Sequence, residues 1–438
     1  MQNTHTQKIC FHTFGCKLNY AETSQLSRQL KDIGYTITET EDIADIHVIN
    51  TCSVTEHADK KCKKLISSII NKNAQAYVVV IGCYAQLKSA QIASIEGVKL
   101  VLGAKEKFRL PEYLQQYKDV NAETMVHCSE IKETKEFHSA FSKETRTRTF
   151  LKIQDGCNYS CSFCTIPLAR GASRSDNPDN VIKNIKEIAS NSVKEIVLTG
   201  VNIGDYTSYD ADTKIRFIDL LKQIKDLNLN IRYRISSIEA NLITEEIVDF
   251  ISESGCFVPH FHIPLQSGCN KILKLMRRRY TTQLYKDKIA YIKNKLPNSS
   301  IGADVIVGFP NETHEDFIQT YNFINGLDIS YLHVFPYSDR SNTVSIKMPY
   351  KIDEKEKSAR CAKLIELSHL KSGFFYKKQI ETNVKVLFEN TNKQGYITGL
   401  TDNYIRVYAK YDKSLINEIK EVKLLKVEES NKMLASIL

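Results

Sequence analysis

Cys157-Asn158-Tyr159-Ser160-Cys161-Ser162-Phe163-Cys164 carries three thiols spaced C-x3-C-x2-C within eight residues. Thiolates prefer soft metals, and a loop this short aims several sulfurs at one centre. A structural zinc takes four ligands, usually from two paired knuckles, and no second C-x2-C pair follows here. Three clustered thiols suit instead a four-iron cubane whose fourth iron takes a ligand that is not protein. The plain alternative is three incidental buried thiols, and the density of cysteine within one turn argues against it.

The flanks extend the pattern: Ile153-Gln154-Asp155-Gly156 stands before the loop, and Arg170-Gly171-Ala172-Ser173-Arg174-Ser175 after it. With Phe163 ahead of the last thiol, the loop resembles that of the radical S-adenosylmethionine enzymes, and its flanks resemble their methylthiotransferase branch. The resemblance implies a 4Fe-4S cluster on Cys157, Cys161 and Cys164 that chelates S-adenosyl-L-methionine. It also implies a second iron–sulfur cluster and transfer of a methylthio group to RNA or protein.

At 438 residues the chain is long enough for roughly two or three domains, each with its own core. Its 42% hydrophobic and 25% charged residues are those of an ordinary soluble globular protein. No apolar run approaches the ~20 residues of a spanning helix. Residues 1–8 carry no apolar segment of the signal-peptide kind, so a cytoplasmic protein without a membrane association is expected. Twelve cysteines in a chain this long read as metal ligands in a reducing compartment rather than as disulfide staples. The net charge of +9, from 60 Lys and Arg against 51 Asp and Glu, is compatible with an anionic partner and equally with a merely basic soluble protein.

The N-terminal third alternates strand and helix. Strands are expected at 8–15, 45–50, 77–81 and 98–102, and helices at 21–33, 58–70 and 110–117, which predicts a doubly wound parallel sheet. Cys16, Cys52 and Cys83 each follow one of the first three strands, at the sheet edge where open α/β folds collect ligands. Spacing alone leaves a second cluster and unrelated thiols equally open. Three words decide between them: Thr13-Phe14-Gly15-Cys16-Lys17-Leu18-Asn19, Asn50-Thr51-Cys52-Ser53-Val54-Thr55 and Gly82-Cys83-Tyr84-Ala85-Gln86. They resemble the methylthiotransferase N-terminal domain, which implies a second 4Fe-4S cluster on Cys16, Cys52 and Cys83. Cys10 and Cys62 fall inside a strand and a helix and read as small buried hydrophobes. Cys269, beside Gly268, reads the same way, and Cys128, Cys256 and Cys361 are not assigned as ligands either.

Residues 129–148 are charged and aperiodic and read as an exposed linker. Alternation then resumes. Strands are expected at 149–154, 195–199, 232–236, 260–265, 301–307 and 331–336, with helices at 178–190, 217–227, 244–252, 272–276 with 281–295, and 313–325. Six such units are too few for an eight-fold barrel; the resemblance implies the open, partial (β/α)6 barrel of the radical S-adenosylmethionine enzymes. It also carries Phe163, Gly200, Asn202 and Gln266 to the S-adenosylmethionine pocket. Gly200 and Gly308 could let backbone approach a cofactor or could be ordinary turn glycines. Glu239 and Asp304 could be ligand contacts or solvated carboxylates. His260 and His262 share a strand face but lack a third ligand nearby in sequence, so no metal is assigned to them. Residues 271–295 hold nine Lys or Arg and one acid, Asp287. This basic helix is expected to track phosphates, with Tyr280 stacking on a base, against the alternative of a solvated face.

A charged helix at 353–371 leads into short strands at 383–389, 395–398, 405–408 and 421–427, the signature of a small barrel. That region resembles the TRAM domain, an RNA-binding barrel, and from Lys377 onward it holds eleven Lys or Arg against eight Asp or Glu. The expected division is therefore 8–128, linker 129–148, radical core 149–372 and TRAM-like domain 376–438. Phe14-Gly15-Cys16-Lys17-Leu18-Asn19 and Thr199-Gly200-Val201-Asn202-Ile203-Gly204 resemble the branch that acts on threonylcarbamoyladenosine of tRNA. The expected partners are the tRNA anticodon stem-loop, an electron donor such as flavodoxin or ferredoxin, and a sulfur source. A branch acting on isopentenyladenosine tRNA or on a ribosomal protein is the alternative. A non-enzymatic iron–sulfur RNA-binding or redox-sensing protein is an alternative of another class.

Overall fold

Two strands near the N-terminus, Ile46–Thr51 and Tyr77–Gly82, are buried at every residue, as a parallel sheet covered by helices on both faces requires. The computed structural model describes residues 7–53, 56–116, 123–143, 147–428 and 431–438. The expected helix end at Tyr117 and the Val54-Thr55 end of the second cysteine word lie outside these residues. The chain forms two compact units: residues 1–144, 150–176 and 338–343, and residues 145–149, 177–337 and 344–438.

The first unit contains β1 (Lys8–Thr13), α1 (Lys17–Asp32), β2 (Thr36–Thr38), β3 (Ile46–Thr51), α2 (Glu56–Lys72), β4 (Tyr77–Gly82), α3 (Cys83–Leu87), α4 (Ser89–Ala93), β5 (Val98–Leu102), α5 (Leu110–Gln116) and β6 (Met125–His127). The six strands pair in parallel in the order β2-β1-β3-β4-β5-β6. Alternate residues feed opposite faces: Val48, Val79 and Ile81 join Leu26 and Leu30 of α1 in one core. Ile49, Val78 and Val80 join Cys62, Ile66 and Ile69 of α2 in the other. Cys62 is thus the core filler expected. The order reverses between β1 and β3, which makes their carboxyl ends the switch point where such sheets bind ligands. Two edge strands, β2 and β6, were not expected; each is only three residues long and too short to show a period. Helix α1 starts four residues earlier than expected, directly after Cys16.

The same unit continues through β7 (Ala140–Phe141), the end of β8 (Arg148–Lys152), β9 (Gln154–Asp155), α6 (Ile166–Arg170) and β10 (Arg174–Ser175). β7 pairs antiparallel with β8, and Thr134, Ala140, Phe141 and Ser142 are buried. This stretch is therefore not the uniformly exposed connection that its charge suggested: Ala140 and Phe141 are buried, and Arg28 donates to the Phe141 carbonyl at 3.0 Å.

In the second unit the expected alternation is present: α7 (Pro178–Ala189), β11 (Glu195–Thr199), a hairpin of β12 (Thr207–Asp210) and β13 (Thr213–Arg216), α8 (Phe217–Asp226), β14 (Arg232–Ile235), α9 (Glu245–Ser254), β15 (His260–His262), α10 (Asn270–Leu275), α11 (Thr282–Lys295), β16 (Ser300–Val307), α12 (His314–Asn325) and β17 (Tyr331–Pro336). β11 pairs with β14, and β15 with β16 and β17, all in parallel. Thr244, Thr281 and Thr313 cap α9, α11 and α12 through their hydroxyls, satisfying amide donors that a helix start leaves open.

The basic stretch is broken between α10 and α11, as the separate helices expected at 272–276 and 281–295 require, and Arg277 takes a left-handed φ of 58° there. Tyr280 is 5% exposed and its hydroxyl donates to the carbonyls of Pro264 and Leu265, both at 2.8 Å. An aromatic ring this buried serves the core and not a nucleic-acid base.

Helix α13 (Glu354–Lys377) runs six residues past its expected end, through Gly373. A Cβ there would come within 3.0 Å of Asn431 Oδ1, so this glycine accommodates a close neighbour rather than stopping the helix. Strands β18 (Asn383–Phe388), β19 (Tyr396–Thr401), β20 (Arg406–Lys410), β21 (Ile419–Glu428) and β22 (Lys432–Ile437) close a barrel in the order β18-β19-β20-β22-β21. The fifth strand, β22, was not expected. The turn after β19 docks on the amino ends of β11 and β14: Arg232 and Arg234 donate to the carbonyls of Leu400 and Asp402 at 3.0 Å each. Tyr404 stacks on His260 at 4.3 Å between ring centres.

Glu195 lies fully buried beneath that turn, paired with both arginines. Burial alone would raise its carboxyl, but Arg234, then Arg232 and Arg148, outweigh burial and hold it at about 2 against an ordinary 4.5. A depressed carboxyl stabilises the fold above its unfolded pKa and loses that contribution as pH falls through the folded one. Stability of this unit is therefore expected to fall between pH 4.5 and 2, and Glu195→Gln to flatten that dependence in acid-unfolding curves.

Candidate metal centres

The rim of the first sheet collects three thiols. Cys16 is the residue before α1, Cys52 follows β3, and Cys83 opens α3 directly after β4. Three polar side chains tie these turns together. Asn19 donates to the carbonyls of Phe14 at 2.8 Å and Thr51 at 3.0 Å. Asn50 donates to the Asn19 carbonyl at 3.1 Å and the Thr23 hydroxyl at 3.0 Å. Thr51 donates to the Ile81 carbonyl at 2.6 Å and accepts from the Tyr84 amide at 3.2 Å. Two glycines permit the approach. Gly15, at φ +97°, has Cys52 so close that a Cβ would sit 2.7 Å from its sulfur. Gly82, at φ +99°, faces Asn50 and the Thr51 backbone in the same way. Cys52 and Cys83 are buried, while Cys16 keeps its surface exposed. The protein packed around the Cys16 thiol still raises it above its usual value; Arg170 opposes this and Cys83 adds to it.

The second group is the C-x3-C-x2-C loop. Its base is closed by β9 pairing with β10, by the Cys157 amide donating to the Gly171 carbonyl at 3.1 Å, and by Gln154 donating to the Gly156 carbonyl at 2.8 Å. Backbone amides are aimed at two of the sulfurs: Tyr159 N lies 3.3 Å from Cys157 Sγ, and Ile166 N lies 3.4 Å from Cys164 Sγ. Thiolate ligands of iron–sulfur clusters take such donors, so this thiol set fits the group that its spacing implies. All three cysteines are half-buried and free of disulfides.

Between the two groups, in the same unit, runs a buried ion network that the sequence reading missed. Arg170, at the end of α6, donates to Glu22 Oε1 at 3.0 Å, Asp155 Oδ1 at 2.9 Å and Asn19 Oδ1 at 2.6 Å. Lys107 and Lys152 add contacts to Glu22 at 2.6 and 3.0 Å. Lys152 and Arg174 each reach Asp155 at 2.9 Å. Glu22, Lys107, Lys152, Asp155 and Arg170 are nearly inaccessible. Burial opposes ionisation of both carboxylates, yet Arg170 and Lys107 hold Glu22 well below its usual range, and Lys152 and Arg170 do the same for Asp155. Two carboxylates against four cations leave an excess of positive charge, which the thiolates of a metal cluster would balance. A further arginine, Arg340, clamps the Cys52 turn: it donates to the Ser53 carbonyl at 2.6 Å and pairs with Asp59 at 2.9 Å.

The other residues singled out in the sequence fall as follows. Phe163 is half-buried in the cysteine loop; Gly200 and Asn202 follow β11, half-buried and buried. Gln266 follows β15 with a left-handed φ of 65°, and its backbone bridges to Val305 of β16. Glu239 is ion-paired with Arg278. Asp304 is not a free carboxylate: His262 and His333 approach it at 3.0 and 3.2 Å. Cys269 is buried, with its thiol 3.4 Å from Asp316. A cavity of about 610 Å³ opens at the amino ends of β11 and β14, opposite the carboxyl ends where barrel chemistry gathers.

Residues 151–324 match the Radical SAM superfamily, and residues 8–103 match the Uncharacterized protein family UPF0004. The chain is 40% identical, over 95% of its length and 94% of the relative's, to the threonylcarbamoyladenosine tRNA methylthiotransferase MtaB of Bacillus subtilis. It is 31% identical, over 94% and 93% of the two chains, to the tRNA-2-methylthio-N(6)-dimethylallyladenosine synthase of Clostridium tetani. Among solved structures, the radical S-adenosylmethionine methyltransferase TsrM of Kitasatospora setae shares the fold at 13% identity, with a TM-score of 0.56 over 78% of this chain and 74% of that one. Carrying both matched regions and this likeness over nearly its whole length, the chain belongs to the MtaB family of radical S-adenosylmethionine methylthiotransferases.

Proposed function

We propose that this chain attaches a methylthio group to carbon 2 of threonylcarbamoyladenosine beside the anticodon of tRNA. The observation that carries this reading is the gathering of six cysteines, three on one sheet rim and three in one loop, within a single compact unit. Membership of the superfamily implies S-adenosyl-L-methionine and a 4Fe-4S cluster, to which we assign Cys157, Cys161 and Cys164. Cys16, Cys52 and Cys83 are assigned to a second 4Fe-4S cluster. When bound, these groups would relay the reducing electron, provide the radical that removes hydrogen from carbon 2, and deliver the sulfur and methyl that replace it.

The protein's own residues bind, orient and exclude water. Asn19, Asn50 and Thr51 hold the rim turns in register, and the amides of Tyr159 and Ile166 orient two loop sulfurs. Arg170 contacts Asn19 of the rim and Asp155 at the loop's base, so both thiol groups rest on one rigid network. Phe163, Gly200, Asn202 and Gln266 are assigned to hold S-adenosyl-L-methionine. The strained backbone of Gln266 supports that role, since strain of this kind gathers at ligand sites. Exposed Lys274, Arg277, Arg279 and Lys286 and the C-terminal barrel are assigned to the phosphates of the anticodon stem-loop.

The functional division follows residues 8–128, 129–148, 149–372 and 376–438. No helix among the described residues is long and apolar enough to cross a membrane, and the reading places the protein with its tRNA in the cytoplasm. A flavodoxin or ferredoxin is the proposed reductant, and the sulfur comes from a separate source. Nucleoside analysis of tRNA from a deletion strain tests the substrate. The 2-methylthio form of threonylcarbamoyladenosine should vanish while that of isopentenyladenosine persists. The reverse pattern would move the chain to the isopentenyladenosine branch.

A further inference from the structure

A second set of metal-binding side chains lies within the first sheet, apart from the six cysteines above. Cys10 of β1 faces His47 of β3 across the ladder, and His12 follows two residues on, on the same face of β1. His12 Nε2 lies 3.1 Å from His47 Nδ1. Cys10 Sγ and one nitrogen from each ring all fall within 4.8 Å of one another. Cys10 and His47 are 3% and 2% exposed, and the His12 side chain is 10% exposed. Glu41 Oε1 stands 3.7 Å from His12 Nδ1, the ring nitrogen not engaged with His47. Lys72 is 3.7 Å from the other Glu41 oxygen.

A thiol and two imidazoles are the donor types that a borderline-soft cation prefers, and their ligand atoms lie within 4.8 Å of one another. Zinc binds histidine nitrogen at about 2.0–2.1 Å and thiolate at about 2.3 Å in a tetrahedron, and two nitrogens so placed sit about 3.3 Å apart, near the spacing observed. A ligating histidine ordinarily donates its other nitrogen to a carboxylate that fixes its tautomer; Glu41 is the carboxylate nearest that nitrogen of His12, at 3.7 Å and so beyond hydrogen-bond length. Burial lowers the pKa of both imidazoles, so they present neutral lone pairs.

We propose that Cys10, His12 and His47 form a zinc site, separate from the cluster thiols, with the fourth coordination position left to water. Zinc capture breaks the Cys10 S–H bond, forms an S–Zn bond and releases the proton to solvent. Burial pushes this thiol up to about 11, so it is protonated in the empty site. The site ties β1 to the amino-terminal half of β3, away from the rim that carries Cys16 and Cys52.

The test uses the full-length protein with its clusters reconstituted, exchanged against zinc chloride and desalted, with zinc and iron measured on one sample. About one zinc per chain is expected in the wild type. Cys10→Ala and His47→Phe should each lose it at least tenfold, with iron content unchanged; the retained iron shows that the variants are folded. Cobalt in place of zinc should give a thiolate-to-cobalt absorption band that Cys10→Ser removes. Zinc absent from the wild type, or equal zinc in wild type and variants, would overturn the proposal. Because the readout is zinc against constant iron, it stands or falls independently of the tRNA reading.

Discussion

Glu22→Gln is expected to destabilise the first unit by about 3–5 kcal/mol, the usual cost of breaking a buried ion network by removing one partner. Glu22 is fully buried and receives Lys107, Lys152 and Arg170. The amide offers one acceptor oxygen in place of a carboxylate, and its NH2 points a donor at cations. Asp155 would then remain as the counter-charge to four cations within the network. Thermal unfolding should shift down by roughly 10 °C, with the thiol groups losing registration because Arg170 holds Asn19 as well. Glu22→Asp should recover part of the loss, since it restores the charge but not the reach. An unchanged melting temperature in Glu22→Gln would mean that water or ions already satisfy this network.

Cys52→Ala is expected to separate the two halves of the chemistry. The reduced variant should still cleave S-adenosyl-L-methionine near the wild-type rate, because the C-x3-C-x2-C loop is held by its own contacts at Gly171, Gln154 and Asn158. It should form no methylthiolated tRNA within detection, because a rim with two thiols cannot complete a three-thiolate ligand set. Cys161→Ala should abolish both reactions. Loss of cleavage in Cys52→Ala together with loss of product would mean that the rim thiols serve the first step as well. Methylthiolated tRNA in that variant would remove the rim from the reaction.

Much of this was legible because topology converts sequence order into position. Val78–Ile81 is apolar on successive residues, which only a strand covered on both faces requires. With the first three expected strands parallel, the residues after each must share one rim, which brings Cys16, Cys52 and Cys83 together. The loop at Cys157–Cys164 needed no fold at all. What escaped was set by distant partners. Arg170 and Glu22 are 148 residues apart, and neither carries a local sign of burial. His262 lacked a third ligand in sequence, and the structure supplies Asp304 and His333 from neighbouring strands. Tyr280 looked like a stacking platform among arginines, yet the carbonyls of Pro264 and Leu265 claim its hydroxyl. Strands β2 and β6 are three residues long, which is shorter than any period can be read.

We infer that the rim thiols Cys16, Cys52 and Cys83 hold a second iron–sulfur cluster. Iron and labile sulfide per chain after anaerobic reconstitution test it most directly, with wild type compared against the Cys16/Cys52/Cys83→Ala triple variant. About eight irons falling to about four is the predicted result, each site being of the four-iron type. About four irons in both proteins would contradict it and leave a one-cluster enzyme whose rim cysteines do something else.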